Sequence, residues 1–241
     1  DVFGFHALQL GLPALEALET RATPAAGITA SLFRGQLIIN GTDRADNITL
    51  FRRGALIGVQ GVSGAAFQAR FVSSVQINAG AGNDIIRANT EAVRGGIPIT
   101  VRMTINGGLG NDSIVGGAGN DSINGGDGND SISGGAGNDA INGGTGDDNI
   151  NGNTGNDSIN CDQGNDALMG GNGNDSMNGG IGDDQLYGET GNDSLNGQDG
   201  ADNINGGSDE DAIDGGNGND IVDGDTGDDS ISGGEGDDHL D

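Results

Sequence analysis

The chain has 241 residues and a net charge of −28; 51 residues are Gly, 3% are aromatic, and Lys and Trp are absent. A chain with this much charge and so few large apolar residues normally cannot bury enough surface to fold unaided. The acidity disfavours nucleic acid and anionic membrane surfaces as partners. Cys161 is the single cysteine, which excludes an internal disulfide framework and a zinc site of several thiolates. The chain has no run of about 18 apolar residues, so no membrane span is predicted.

Residues 1–30 are predicted to form an apolar N-terminal arm or docking segment. Pro13 interrupts its apolar residues, so a short helix, a strand and an arm that packs on a neighbour all remain compatible with it. The segment lacks the basic start and the long apolar centre of an intact signal peptide.

Residues 31–106 are predicted to form irregular β-solenoid coils that cap the following part of the chain. Short segments rich in β-branched and other apolar residues predict strands, and the stretches between them predict loops at 61–66 and 88–97. The predicted strands are 36–40, 47–51, 55–60, 74–78 and 99–106.

Residues 107–241 consist of 15 copies of a nine-residue repeat in unbroken register. Position six is Asp in every copy, and position eight is Ile, Leu, Val or Met in every copy. Position four is Gly except at Asp209, and position one is Gly except at Cys161. A disordered chain would not need such a fixed period.

Charge is distributed unevenly along the chain. Residues 1–102 hold nine Arg and seven acids, a net charge of +2, whereas residues 103–241 hold 30 acids and no Lys or Arg.

The repeat predicts a stacked β architecture. Its first six residues, Gly-Gly-x-Gly-x-Asp, are typical of a turn, and its last three predict a short strand whose middle side chain points inward. Two repeats therefore form one 18-residue coil, and stacked coils form two parallel sheets with the position-eight side chains between them. The predicted fold is all-β, a parallel β-roll or β-helix solenoid with longer irregular coils at its N-terminal end.

Apolar burial cannot by itself offset the entropy of ordering this region and the repulsion among its acids. In the predicted stack each turn lies above the turn two repeats later, as Asp112 lies above Asp130. Two carboxylates and nearby glycine carbonyls then form a flexible, anionic, all-oxygen cage, which suits Ca²⁺ better than Mg²⁺. Pairing 15 repeats in this way leaves 13 gaps, and 13 Ca²⁺ ions would nearly balance the 30 acids.

The predicted metal ligands extend over the whole repeat region and one degenerate copy upstream. Residues 79–87 keep Gly80, Gly82, Asp84 and Ile86 in register, and residues 41–49 keep Gly41, Asp46 and Ile48. The predicted carboxylate ligands are Asp84, Asp112, Asp121, Asp130, Asp139, Asp148, Asp157, Asp166, Asp175, Asp184, Asp193, Asp202, Asp211, Asp220, Asp229 and Asp238. The predicted glycine ligands are Gly108, Gly110, Gly117, Gly119, Gly126, Gly128, Gly135, Gly137, Gly144, Gly146, Gly171, Gly173, Gly180, Gly182, Gly216 and Gly218.

These residues resemble the hemolysin-type calcium-binding repeats, also called repeats-in-toxin, whose nonapeptide GGxGxDxUx (U is a large apolar residue) matches residues 107–241 copy by copy and 79–87 more weakly. The resemblance implies a right-handed parallel β-roll that holds Ca²⁺ between successive turns through the position-six Asp and backbone carbonyls. It also implies secretion from a bacterium, with folding outside the cell. Asp209, Cys161 and Asp162 depart from the pattern.

Three functions are compatible with this sequence. The favoured one is a secreted structural protein whose rolls stack head-to-tail into a filament or surface layer, because the last repeat is a good consensus copy and residues 1–30 supply an apolar segment at the other end. The alternatives are a calcium-dependent folding and secretion module of a larger exported hydrolase or toxin, and a calcium-dependent adhesin. Enzymatic activity is not expected, because neither HExxH nor GxSxG occurs.

Overall fold

The computed structural model describes residues 27–60, 62, 66–88 and 98–241. This part of the chain is all β apart from a three-residue 3-10 turn at Ala69–Phe71, and it includes no helix long and apolar enough to cross a membrane. The strands, numbered in chain order, are β1 (Thr29–Phe33), β2 (Gln36–Asn40), β3 (Asn47–Arg53), β4 (Leu56–Val59), β5 (Ala66–Gln68), β6 (Ser74–Ala81), β7 (Ile85–Arg87), β8 (Arg102–Leu109), β9 (Ser113–Val115), β10 (Ser122–Asp127), β11 (Ser131–Ala136), β12 (Ala140–Thr145), β13 (Asn149–Thr154), β14 (Ser158–Asn160), β15 (Ala167–Asn172), β16 (Ser176–Ile181), β17 (Gln185–Thr190), β18 (Ser194–Asp199), β19 (Asn203–Ser208), β20 (Ala212–Asn217), β21 (Ile221–Thr226), β22 (Ser230–Glu235) and β23 (His239–Leu240).

The strands form two sheets, and the chain alternates between them. Sheet A has 11 strands in the order β1-β2-β6-β8-β10-β12-β14-β16-β18-β20-β22, and sheet B has 12 in the order β23-β21-β19-β17-β15-β13-β11-β9-β7-β3-β4-β5. From β6 and β7 onward every pairing is parallel. The predicted parallel β-solenoid is therefore confirmed.

The register of the roll follows the nine-residue period. Ile123 of β10 lies beside Ile141 of β12, and Ile132 of β11 lies beside Ile150 of β13, so each repeat pairs with the repeat 18 residues later. Every position-eight side chain from Ile114 to Val222 is buried between the two sheets. One inward-facing apolar side chain per repeat is what drives the two sheets together.

The strands of the roll are longer than the sequence predicts. Most have six residues, as β10 does, because the ladder continues past the three-residue x-U-x segment into the first three positions of the next repeat. The pairing omits position one, Gly125, although this residue lies inside the strand. Backbone groups of the leading glycines are thus part of the sheet as well as of the turn.

The N-terminal coils are longer than those of the repeat region. β2 pairs with β6 at a separation of 38 residues and β6 with β8 at 28, before the spacing settles at 18. The extra length includes the antiparallel strands β4 and β5, which extend sheet B, while antiparallel β1 covers the edge of β2 in sheet A. β1 begins at Thr29, so the predicted boundary between arm and coils at residue 30 falls inside a strand. The rest of the predicted arm, residues 1–26, lies outside the described residues.

Candidate cation sites

The turns of the roll lie in two columns, which we call the first edge and the second edge. On the first edge the chain crosses from sheet A to sheet B, and on the second edge it returns. The first-edge aspartates are Asp84, Asp112, Asp130, Asp148, Asp166, Asp184, Asp202, Asp220 and Asp238. The second-edge aspartates are Asp121, Asp139, Asp157, Asp175, Asp193, Asp211 and Asp229. The structure thus stacks the predicted carboxylates in two continuous columns.

One oxygen of each stacked carboxylate is used within the protein. The backbone N–H of Asp112 donates to Oδ1 of Asp130 over 2.7 Å, and the same bond recurs every 18 residues along both edges. It also joins Asp46 to Asp84 and Asp84 to Asp112 across the longer N-terminal coils. Each Asp is therefore held in one orientation by the coil before it.

The second oxygen of most of these carboxylates is buried and accepts no hydrogen bond. A buried carboxylate oxygen without a partner is costly, so a native structure that contains a column of them calls for a ligand. Within the described residues, the unpartnered Oδ2 atoms belong to Asp84, Asp112, Asp130, Asp139, Asp148, Asp157, Asp166, Asp175, Asp184, Asp193, Asp202, Asp211 and Asp220.

The position-one glycine leaves room next to each such oxygen. A Cβ at Gly125 would collide with Oδ2 of Asp130 and lie 2.6 Å from the carbonyl oxygen of Gly143, which is in the next coil. Glycine at this position therefore keeps the space between successive turns free of side-chain atoms. Position one is not among the ligands predicted from the sequence, although Gly occupies it in 14 of the 15 copies.

The glycines predicted as ligands differ in how their carbonyls are used. At position two, the carbonyl oxygens of Gly117 and Gly144 already accept backbone N–H groups of Ala136 and Gln163. At position four, the carbonyl oxygen of Gly128 faces Gly146 of the next coil, where a Cβ would lie 2.5 Å from it. Position-four carbonyls therefore lie between successive turns of the stack.

Position five forms a further polar column that sequence reasoning missed. Oδ1 of Asn111 accepts the backbone N–H of Asn129 over 3.1 Å, and this bond points in the opposite direction along the stack from the position-six bonds. The column is interrupted where position five is Ala201 or Glu210, since neither supplies the short side-chain oxygen. The signal was the Asn or Asp at position five in the other 13 copies.

Four aspartates at the ends of the stack differ from the rest. Both oxygens of Asp121 have protein donors, the N–H of Met103 at 2.8 Å and that of Gly117 at 2.9 Å, because no repeat turn precedes it on the second edge. Asp229 and Asp238 lie in the last turn of each column and are partly exposed. Asp46, in the first degenerate copy, is satisfied by Thr42, whose N–H and hydroxyl both donate to its Oδ2.

Burial dominates the electrostatics of the columns. It raises the pKa of Asp112 and Asp130 from the usual 3.8 to about 6, and that of Asp139 and Asp184 to about 7. Neighbouring carboxylates raise the pKa of Asp112, Asp139 and Asp184 further. The hydrogen bond that each carboxylate accepts from a backbone N–H lowers its pKa, but by less than burial raises it. In the fold, these side chains therefore take up protons at a higher pH than a free aspartate does, because burial disfavours their charged form.

In a calcium-free solution, lowering the pH from about 7.5 to about 5 is expected to increase the β-structure of the chain. A carboxyl whose pKa is raised by folding stabilises the fold fully below its unfolded pKa, and this stabilisation is lost as the pH rises through about 6 to 7. Far-UV circular dichroism of the chelated chain against pH measures the effect. Added neutral salt at pH 7.5 is the control for simple charge screening, and β-structure that decreased on acidification would contradict the prediction.

The donor set fits a hard cation. The buried Oδ2 atoms and turn carbonyls are all oxygens, they occur in flexible glycine-rich turns, and the columns are strongly acidic. These are the properties of Ca²⁺ sites.

Comparison with known protein families agrees with this geometry. The sequence matches the RTX calcium-binding nonapeptide repeat (4 copies) at residues 75–90, 106–141, 125–159, 142–177, 161–195, 178–213 and 214–241. These matches cover more than half of the chain, and they begin at the strand that precedes the degenerate copy containing Asp84. No curated protein matches the sequence. With two columns of stacked carboxylates in the turns that connect its parallel sheets, the chain belongs to the family of RTX calcium-binding nonapeptide repeats.

Proposed function

We propose that this chain is a secreted structural β-roll that folds on binding Ca²⁺ outside the cell and then assembles end to end. The observation that carries the calcium-dependent step is the set of 13 buried Oδ2 atoms without a hydrogen-bond donor. Ca²⁺ would neutralise these carboxylates and accept their free lone pairs. The position-six Asp side chains would supply the charge, and the position-four carbonyls would complete the oxygen set.

The number of ions proposed is about 13, one for each unpartnered Oδ2. This number equals the 13 gaps counted from the repeats, but the two counts include different aspartates. Asp84 belongs to the set because its turn stacks on that of Asp112, whereas Asp121 does not because protein donors occupy both of its oxygens.

Secretion is proposed because calcium is scarce in the cytosol and abundant outside the cell. Extracellular calcium modules bind with dissociation constants of about 0.1 to 1 mM, so such sites remain empty before export. A calcium-free chain with a net charge of −28 repels itself and stays extended. Folding would then begin when the chain meets external calcium.

End-to-end assembly is proposed from the distribution of charge along the solenoid. The N-terminal coils contain Arg34, Arg52, Arg53 and Arg70, whereas residues 103–241 have 30 acids and no Lys or Arg. The N-terminal end of one copy therefore complements the acidic coils of another. A contact of this kind is heterologous and propagates into a filament.

Negative-stain electron microscopy with millimolar calcium and then with chelator tests assembly. Filaments that dissolve on chelation are expected. A chain lacking residues 1–26, which keeps β1 intact, is expected to fold with calcium without forming them. Single compact particles of the full chain would contradict assembly and favour the folding and secretion module instead. Filaments formed by the shortened chain would contradict the docking role of the arm.

Replacing Asp184 with Asn is expected to weaken calcium binding, whereas replacing its neighbour Asp183 is not. Asp184→Asn keeps the shape but removes the charge and turns one oxygen of a buried cage into an amide. Asp183 lies at the exposed position five, where most copies already have Asn, and its Oδ1 accepts only the N–H of Ala201. Isothermal titration is expected to show one or two fewer ions for Asp184→Asn and a calcium midpoint raised about threefold or more. Equal effects of the two substitutions would mean that only net charge matters.

A further inference from the structure

Cys161 lies at one point of the first edge where a position-one glycine is expected. Its side chain is 1% exposed and occupies the space that glycine leaves free in the other copies. The strand ladder is irregular next to it. β14 ends at Asn160 after three residues instead of six, and Gln163 resumes the ladder through single bridges to Thr145 and Ile181.

The thiol lies between two stacked carboxylates. The Sγ atom of Cys161 and one carboxylate oxygen each of Asp148 and Asp166 all lie within 4.8 Å of one another. Asp148 and Asp166 are 3% and 1% exposed, and the Oδ2 atom of each has no hydrogen-bond partner. The Asp148 N–H donates to Oδ1 of Asp166 over 2.7 Å, which holds the lower carboxylate in place.

We infer that this gap is a site for a thiophilic divalent cation of the Zn²⁺ class, which takes the place of one of the roughly 13 calcium ions in the columns. Sulfur is a poor ligand for Ca²⁺, which takes oxygen ligands, whereas Zn²⁺ binds a cysteine sulfur together with carboxylate oxygens. One sulfur and two carboxylate oxygens supply three ligands, and a turn carbonyl or a water molecule would supply the fourth. No other gap in the repeat region has this donor set, because Cys161 is the single cysteine of the chain.

The binding step is a proton exchange without redox change. The metal ion forms a bond to Sγ, the S–H bond breaks, and its proton passes to solvent, so binding releases one proton. The two carboxylates and the thiolate carry three negative charges, which the ion partly neutralises. The inference rests on the proposed calcium-dependent fold, because only the folded stack brings Asp148 next to Asp166.

Cadmium titration of the full chain, already folded in millimolar calcium, tests the site. Cd²⁺ is the probe because a thiolate bound to it gives a sulfur-to-cadmium charge-transfer absorption in the ultraviolet. We expect this absorption to saturate at one Cd²⁺ per chain, to persist in excess calcium, and to disappear when Zn²⁺ is added. Metal analysis after dialysis against calcium is expected to find the same single ion.

Two variants separate the thiol from the rest of the cage. Cys161→Gly restores the consensus residue, and Cys161→Ser keeps the size of the side chain but offers a hard oxygen. Both are expected to fold with calcium, by circular dichroism, and to lose the absorption and the retained Cd²⁺. A wild-type chain that folds with calcium but shows no absorption, or equal Cd²⁺ retention by Cys161→Gly, would overturn the thiolate site alone. A chain that fails to fold with calcium would overturn this inference together with the proposed function.

Discussion

Removal of calcium at neutral pH is expected to abolish the β-structure of residues 107–241. An ion at ten times its dissociation constant adds about 1.4 kcal/mol to stability, and about 13 such ions together exceed the roughly 5 to 15 kcal/mol by which an ordinary domain is stable. Without the ions, 13 buried carboxylate oxygens have no partner and the acids of the stack repel one another. Far-UV circular dichroism and small-angle scattering with chelator are expected to show an expanded chain, and added calcium to restore the compact form.

Two controls identify the reason for this unfolding. Mg²⁺ at the same concentration is expected to restore little structure, because it demands a more rigid octahedral site and dehydrates reluctantly. Neutral salt is also expected to fail, because it screens exposed charges but cannot satisfy a buried oxygen. A chelated chain that kept its β-signal at neutral pH would show that the roll is stable without calcium, contrary to the proposal.

Replacing Gly182 with Ala is expected to destabilise the roll strongly. Gly182 is the position-four residue of its turn, its φ is +142°, and a Cβ there would collide with the carbonyl oxygen of Gly164 in the preceding coil. L residues rarely adopt this φ, so the turn must change its backbone conformation and move away from the coil beneath it. We expect a loss of about 3 kcal/mol or more. Because coils contact only their neighbours, the calcium-induced transition is also expected to become broader.

Gly54→Ala is the matched control for this substitution. Gly54 lies between β3 and β4 with a φ of +57°, and a Cβ there meets nothing within 4 Å. We expect a loss of only about 1 kcal/mol, from backbone strain alone. The calcium midpoint by circular dichroism measures both variants. Equal shifts would show that the contact between coils at Gly182 contributes nothing beyond the positive φ. The single natural exception at position four, Asp209, has a φ of only 81°, which shows how the turn changes when it carries a side chain.

The period of nine determined much of this protein without reference to any tertiary contact. Each copy places one aliphatic residue or Met and one aspartate at constant spacing. Because the chain repeats the same local turn, equivalent positions of successive coils stack on one another. The pairing of Asp112 with Asp130, the buried column that includes Ile123 and Ile141, and the parallel sheets all follow from that regularity. The resemblance to calcium-binding repeats rested on the same positions, and the family match confirms it.

The tertiary structure decided everything that depends on which turn lies next to which. The lengths of the N-terminal coils, 38 and 28 residues, come from insertions with no period. The sequence therefore predicted Asp84 as a ligand, but neither its stacking on Asp112 nor the isolation of Asp121 could be predicted from the spacing. Whether a carboxylate oxygen is free or already bonded depends on the backbone of the neighbouring coil, which sequence spacing alone does not reveal. The same reason applies to Cys161. In the sequence it replaces a glycine in a turn, and only the stack places its sulfur between Asp148 and Asp166.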